Sequence, residues 1–256
     1  MNNASDTATL DIDLGNSAMK YRLAGCSGRL PHLPSGAVDV ARLYSELCGS
    51  ELQAVSISVQ RVRVCSVLNA DRNAEFSARM LDQWGVTVEF ARSLSAVGRV
   101  INGYQEPSLL GVDRWMVVLA SYHRCSGAAL VIDLGTAITL DYVHADGRHL
   151  GGYIVPGTHL SRRALLRDTA LISASADTTA MLLQPGTSTQ EAVSRGALLL
   201  VRNLIEVEVE GLRAHLSQSP AVFLCGGGAQ DISPHLRCAH EVVPELVLDG
   251  LELALP

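Results

Sequence analysis

Leu10-Asp-Ile-Asp-Leu-Gly-Asn-Ser-Ala-Met-Lys-Tyr-Arg-Leu23 lines up with Leu130-Val-Ile-Asp-Leu-Gly-Thr-Ala-Ile-Thr-Leu-Asp-Tyr-Val143 at an offset of 120 residues, with Leu, Ile, Asp, Leu and Gly coinciding at five positions. An offset near half of a 256-residue chain is too long for a solenoid repeat and suits a duplicated domain. Each copy reads as a strand ending in Asp, a turn at Gly-Asn or Gly-Thr, and a second strand running back, which is a hairpin.

Working outward, the first half predicts a helix over 39–49, a strand over 54–59, an amphipathic helix over 73–84 and a strand over 86–90. The second half predicts a helix over 115–122, a third strand at 150–155 closed by Pro156-Gly157, helices over 161–167 and 189–216, and a strand over 221–224 before Gly226-Gly-Gly. A short helix, a strand at 241–243 and an amphipathic segment over 246–255 complete the chain. Strands open each half and helices follow, an α/β plan executed twice. The boundary falls within 112–128, giving domains 1–115 and 116–256 packed face to face around a cleft.

Composition narrows the function. Twenty Lys+Arg against 26 Asp+Glu leave a net charge of −6, which argues against a nucleic-acid partner, because binding a phosphate backbone needs clustered positive charge. Six cysteines without C-x-x-C spacing fit reduced thiols, and the amino-terminal residues lack the basic region and apolar run of a signal peptide. No apolar stretch reaches the roughly 18 residues of a membrane span. A soluble, cytoplasmic protein is expected, with no membrane partner. Nineteen of the 20 cations are arginine, consistent with a codon bias, and Lys20 is the exception.

The hairpin loop carries chemistry. Asp13-Leu14-Gly15-Asn16-Ser17-Ala18-Met19-Lys20 places a carboxylate at a strand end, a glycine that lets backbone approach a ligand, exposed N–H groups and short polar side chains. Such a loop can hold a metal-bound polyphosphate, with N–H groups and hydroxyls on the oxygens and the carboxylate on the hydrated cation. Lys20, on the outgoing strand, reaches the same phosphates as a point charge. By sequence offset its counterpart in the second copy is Leu140. Asp11 lies on the same strand face as Asp13; it could assist cation binding, raise its neighbour's pKa by repulsion, or point into solvent. Gly-Val-Asp-Arg at 111–114 reads alone as a helix N-cap beside a surface arginine. His235, Cys238 and His240 are metal-capable but lack a fourth ligand at comparable spacing. Trp84 and Trp115 read as core or interface anchors. Neither a Walker loop nor a Rossmann glycine fingerprint is present.

Asp13-Leu-Gly-Asn-Ser17, Gly111-Val-Asp-Arg114, Asp133-Leu-Gly-Thr-Ala137 and Gly152-Tyr-Ile-Val-Pro-Gly157, in this order and spacing, resemble the type III pantothenate kinases. The resemblance covers nearly the whole chain. It implies the fold of the acetate and sugar kinase, heat-shock chaperone and actin superfamily: two duplicated RNase H-like domains, as in actin-like ATPases, with a nucleotide cleft between them. It implies ATP-dependent phosphorylation of pantothenate to 4'-phosphopantothenate, the first step of coenzyme A biosynthesis. Residues 13–20 and Thr136 then resemble the ATP contacts, Asp13 a Mg²⁺ ligand, and Asp133 the ligand of an activating K⁺ or ammonium ion. Asp113 resembles the proton acceptor facing the pantothenate hydroxyl, and Gly111, Val112 and Arg114 its substrate-binding neighbours. Tyr104 matches the tyrosine of the pantothenate pocket, and Thr189 a threonine that contacts substrate, often across a homodimer interface. The apolar stretch 197–209 suits an interface helix or burial within one chain. Another kinase of the same superfamily, or a non-catalytic transcriptional accessory factor, are the alternatives that substrate panels would separate.

Overall fold

The protein was described from a computed structural model, which covers residues 7–33, 35–49, 58–168, 182–215 and 219–256. The expected first hairpin forms: β1 (Thr7–Leu14) pairs antiparallel with β2 (Ala18–Leu23), setting Asp13 opposite Lys20 and Asp11 opposite Arg22. Strand alternation sends Leu10, Ile12 and Leu14 to one face, all fully buried, and Asp11 and Asp13 to the other. A third strand, β3 (Cys26–Pro31), pairs with β2 and was not expected. Its sequence, Cys-Ser-Gly-Arg-Leu-Pro, buries only Leu30, so no apolar alternation marks it. The connecting Ala24-Gly25 has positive φ at both residues (48° and 82°), as a tight hairpin turn between right-twisted strands demands.

Helix α1 (Val40–Gly49) begins where the Asp39 carboxylate accepts from the Arg42 N–H at 3.0 Å. The next strand corrects the sequence reading. It is β4 (Ser58–Ser66), running through Arg61 and Arg63, whereas 54–57 lie outside the described residues. Val62 and Val64 supply its buried face and two arginines the other, an alternation masked by the charge of the pair. Helix α2 (Ala70–Trp84) starts on the Asn69 side chain, which accepts from the Arg72 N–H, and stops at Gly85 in the left-handed region (φ 66°). After β5 (Val88–Phe90) the sheet is complete, in the order β3-β2-β1-β4-β5, with β1, β4 and β5 mutually parallel. Its apolar face meets Val40, Leu43, Leu47, Phe76 and Met80 from α1 and α2.

A short ribbon, β6 (Ala96–Val97) and β7 (Val100–Ile101), and a 3-10 turn at Pro107–Leu109 lead to α3 (Val112–Cys125). Trp115 to Ala120 are buried without a break, so this helix is covered on every side along that stretch. Then the plan repeats. β8 (Ala129–Leu134), β9 (Ala137–Val143) and β10 (His149–Pro156) form an antiparallel meander, and β11 (Ala221–Cys225) and β12 (Glu241–Val242) extend it in parallel, in the order β10-β9-β8-β11-β12. The helices are α4 (Thr158–Asp168), α5 (Thr189–His215), α6 (Ala229–Ile232) and α7 (Leu246–Ala254). Leu198, Val201, Ile205 and Val209, a helical stripe of α5, join Leu130, Ile132 and Leu134 in the second core.

The contacts divide the chain into two compact units. One comprises the residues up to Val97, Gln105–Ala120 and Val247–Pro256; the other comprises Gly98–Tyr104 and Ser121–Leu246. A single cut at 115/116 does not describe these units, because the last helix returns to the first. Physical ties explain that return. Arg63 Nη1 donates to the Leu255 carbonyl at 2.9 Å, and Arg22 reaches Asp249 at 2.7 Å and Glu252 at 2.9 Å. At Gly250 a Cβ would lie 2.0 Å from the Met116 carbonyl oxygen, so the α7 backbone rests directly on α3. Among the described residues no helix is long and apolar enough to cross a membrane.

Candidate functional site

In the first unit the loop between β1 and β2 is held open by its own backbone: the Gly15 N–H donates to the Ala18 carbonyl at 3.1 Å, leaving Asn16 and Ser17 exposed. His32 braces it from the end of β3, its N–H donating to the Ser17 carbonyl at 3.3 Å and its Nε2 lying 2.7 Å from the Gly15 carbonyl. Asp13 and Lys20 face each other across the hairpin on the polar side of the sheet. Lys20 is half-buried, and Asp13 is 9% exposed. Asp11 does not point to solvent. Arg63 grips its carboxylate with two hydrogen bonds, Nε to Oδ1 at 2.7 Å and Nη2 to Oδ2 at 3.0 Å, and Arg22 approaches it at 3.6 Å.

Asp113 and Arg114 occupy the first turn of α3, because the helix starts at Val112, three residues before the expected start at 115, and the Trp115 N–H already bonds the Gly111 carbonyl at 2.9 Å. Asp113 Oδ1 accepts from the Arg114 N–H at 2.8 Å. A Cβ on Gly111 would sit 2.8 Å from that same oxygen, so glycine there gives the carboxylate its room. The helix N-terminus favours the ionised carboxylate. Arg114 is 4% exposed, far from the surface arginine that its four-residue motif alone suggests.

In the second unit the loop after β8 is one residue shorter than its counterpart. Gly135 N–H bonds the Ala137 carbonyl at 3.1 Å, so the register sets Thr139, not Leu140, opposite Asp133. Thr136 is exposed at the tip, and Gly157 packs under it: its N–H donates to the Thr136 carbonyl at 3.0 Å, and a Cβ would lie 2.6 Å from that oxygen. Gly226, at φ 82°, lies against Asp133, where a Cβ would come within 2.2 Å of Oδ1. Thr139 Oγ1 is buried with no hydrogen-bond partner. A carboxylate in a cradle that a side chain would fill, with an unsatisfied hydroxyl across the hairpin, is an oxygen donor set that fits a hard cation. For Mg²⁺, Asp13 beside the exposed Asn16 and Ser17 fits an ion that keeps waters and takes its other ligands from phosphate.

Tyr104 stands at the end of the segment after β7, with its ring stacked on His149 at 6.0 Å between centroids. Thr189 is the exposed first residue of α5. Beside it the Thr187 N–H and hydroxyl donate to Glu191 at 2.8 and 3.0 Å, holding that carboxyl below its usual range and capping the helix. Among the described contacts none links Thr189 to the other substrate candidates. His240 makes a poor metal ligand here: Nδ1 lies 2.8 Å from the Cys238 carbonyl and Nε2 2.8 Å from Ser233 Oγ, while burial pushes the Cys238 thiol up. Sequence reasoning missed His32, Thr139, Asp141, His149 and the contact of Gly226 with Asp133. Only Gly226 carried a signal, as the first of three glycines after a strand.

The family profile for type III pantothenate kinases matches residues 9–210. A type III pantothenate kinase from Ectopseudomonas mendocina is 40% identical over 251 residues, covering 96% of this chain and 98% of its own. Among solved structures, a conserved candidate transcriptional activator of the Baf family from Campylobacter jejuni aligns at a TM-score of 0.59, with 18% identity and 95% of each chain covered. A candidate 2-dehydro-3-deoxygalactonokinase from Sinorhizobium meliloti aligns at 0.52, with 19% identity over 96% of this chain and 97% of its own. These two likenesses concern the fold alone, a mixed α/β architecture with two sheets.

Proposed function

The chain belongs to the type III pantothenate kinase family, and from that premise we propose how its own residues phosphorylate pantothenate with ATP at the head of coenzyme A biosynthesis. Phosphoryl transfer has a loose transition state, so the protein's work is alignment, charge neutralisation and exclusion of water. Residues 13–20 and Thr136 receive the ATP phosphates through loop N–H groups, short polar side chains and the Lys20 charge. Asp13 would hold Mg²⁺, which would supply neutralisation of the phosphate charge, and Asp133 would hold a monovalent cation, K⁺ or ammonium.

Asp113 orients the pantothenate hydroxyl and takes its proton as the oxygen–phosphorus bond forms and the bond to ADP breaks. Arg114 offers a planar fork to the pantothenate carboxylate. Gly111, Val112, Tyr104 and Thr189 are the further residues proposed to contact pantothenate. The observation that carries this reading is the pair Asp113–Arg114: a carboxylate given room by Gly111 at a helix N-terminus, followed by an arginine withdrawn from solvent. The sequence duplication divides the chain into halves 1–115 and 116–256, while the compact units exchange the segments 98–104, 116–120 and 247–256 between those halves. A homodimer is supported by the apolar surface of Leu199, Leu200 and Val207 on α5 and Tyr153 and Ile154 on β10, all exposed in the single chain. A cytoplasmic location is part of this proposal.

A coupled assay tests the proposal. ADP release should require pantothenate, Mg²⁺ and K⁺ or ammonium together. Asp113→Asn should lower kcat by about a hundredfold or more with ATP binding retained. Parental turnover in that variant would remove Asp113 from the base role.

A further inference from the structure

The proposed chemistry leaves unused one buried pair in the second unit. His149 Nε2 and Asp141 Oδ1 are 2.8 Å apart, and both side chains are wholly excluded from solvent. Asp141 follows Thr139 by two residues on β9 and so shares its sheet face, the face that also presents Asp133. A buried imidazole and carboxylate are costly to keep unless their geometry does something.

What rests on this pair is Tyr104. Its ring lies nearly parallel to the imidazole, with an interplanar angle of 15°. The backbone of its segment is fixed separately. Ile101 N–H donates to the Gly147 carbonyl at 3.0 Å, Tyr104 N–H donates to Asn102 Oδ1 at 3.0 Å, and Gly103 lies so close to His149 that a Cβ would fall 1.8 Å from its carbonyl oxygen. His149 Nδ1 has no hydrogen-bond partner, so the Asp141 carboxylate is the one polar anchor seen for the ring. A carboxylate accepting from Nε2–H fixes both the tautomer and the plane of an imidazole. The plane of His149 in turn restricts the rotation of the tyrosine stacked on it.

We propose that Asp141 and His149 are positioning residues that set the Tyr104 ring before pantothenate arrives, so that substrate affinity depends on a buried pair that does not touch substrate. The proposal rests on the reading of Tyr104 as a pantothenate contact. Pre-setting a side chain saves the ordering cost that binding would otherwise bear, and it acts on pantothenate and not on ATP.

The test is a double-variant cycle on the full-length enzyme, with ADP release measured for His149→Ala, Tyr104→Ala and the two combined. His149→Ala is expected to raise the KM for pantothenate about tenfold with the KM for ATP unchanged, and to have no further effect once Tyr104 is alanine. Multiplying penalties in the double variant, or equal rises in both KM values, would overturn the proposal. An enzyme that releases no ADP with pantothenate overturns the functional reading instead. In that event positioning is still decided by fluorine NMR on protein carrying fluorotyrosine at its six tyrosines, with the Tyr104 signal assigned through Tyr104→Phe. Asp141→Asn, which keeps both rings, should shift or broaden that signal; an unmoved Tyr104 signal would refute the positioning role.

Discussion

Arg63 donates through Nε and Nη2 to the Asp11 carboxylate and through Nη1 to the Leu255 carbonyl, and its side chain and that of Asp11 are only 10% and 4% exposed. Removing one member of such a pair strands the other in a dry environment. Asp11→Ala is therefore expected to cost about 3–5 kcal/mol in denaturant unfolding, with Arg63→Ala similar and the double variant less than their sum. The lysine that stands alone in the composition makes a second residue-scale prediction. Lys20 sits opposite Asp13, whereas the position opposite Asp133 is threonine, so of the two hairpins the first alone sets a lysine across from its aspartate. Lys20→Arg keeps the charge but replaces a compact ammonium by a wide fork, and the KM for ATP should rise several-fold while the unfolding midpoint holds. An unchanged KM would return Lys20 to an accident of composition. The places of Asp13 and Asp133 near the ends of the first strands of the two hairpins were legible because a repeat marks them twice. The role of Asp11 was not, because its partner lies 52 residues away on a strand whose place in the sheet no local pattern announces.

Tyr21 joins two elements. From β2 its hydroxyl donates to Glu46 on α1 at 3.0 Å, and burial together with that carboxylate pushes the phenol up from 10.0 to about 12. A pKa raised in the folded state means that folding favours the protonated phenol. Its contribution is full below pH 10 and is lost as pH climbs toward about 12. Thermal unfolding across that window should show a steeper loss for the parent than for Tyr21→Phe, and equal slopes would contradict the link. The long helices were readable from their apolar stripes and caps, as α2 shows with Asn69 and Gly85. The weak strands were not. β3 earns its place by pairing with β2 and by making room at Gly28 for the Tyr21 ring, where a Cβ would stand 2.4 Å from the hydroxyl oxygen. Such a strand is specified by its neighbours, and its own six residues carry no periodic signal.

The duplication and the class of fold were legible at the scale of the molecule, since two copies of one hairpin, half a chain apart, leave few other plans. The composition of the compact units was not, because a helix of nine residues at the far end of the chain gives no hint of which unit it joins. Its contacts decide that: Asp249 and Glu252 take Arg22, and Leu255 takes Arg63. A chain ending before residue 246 should keep hydrogen-exchange protection in β8 to β12 and lose it in β1 to β5, because Arg22 and Arg63 of the first unit forfeit their partners at Asp249, Glu252 and Leu255. Equal protection in both sheets would show that α7 is dispensable. The same return of the last helix sets an order of assembly. Domains made on the ribosome generally fold from the amino terminus onward. Here the unit that contains β1 to β5 waits for residues 247–256, so the second unit is complete while the first still lacks its closing helix. A frameshift at codon 247 would thus injure the unit whose sheet ends at Phe90, far upstream.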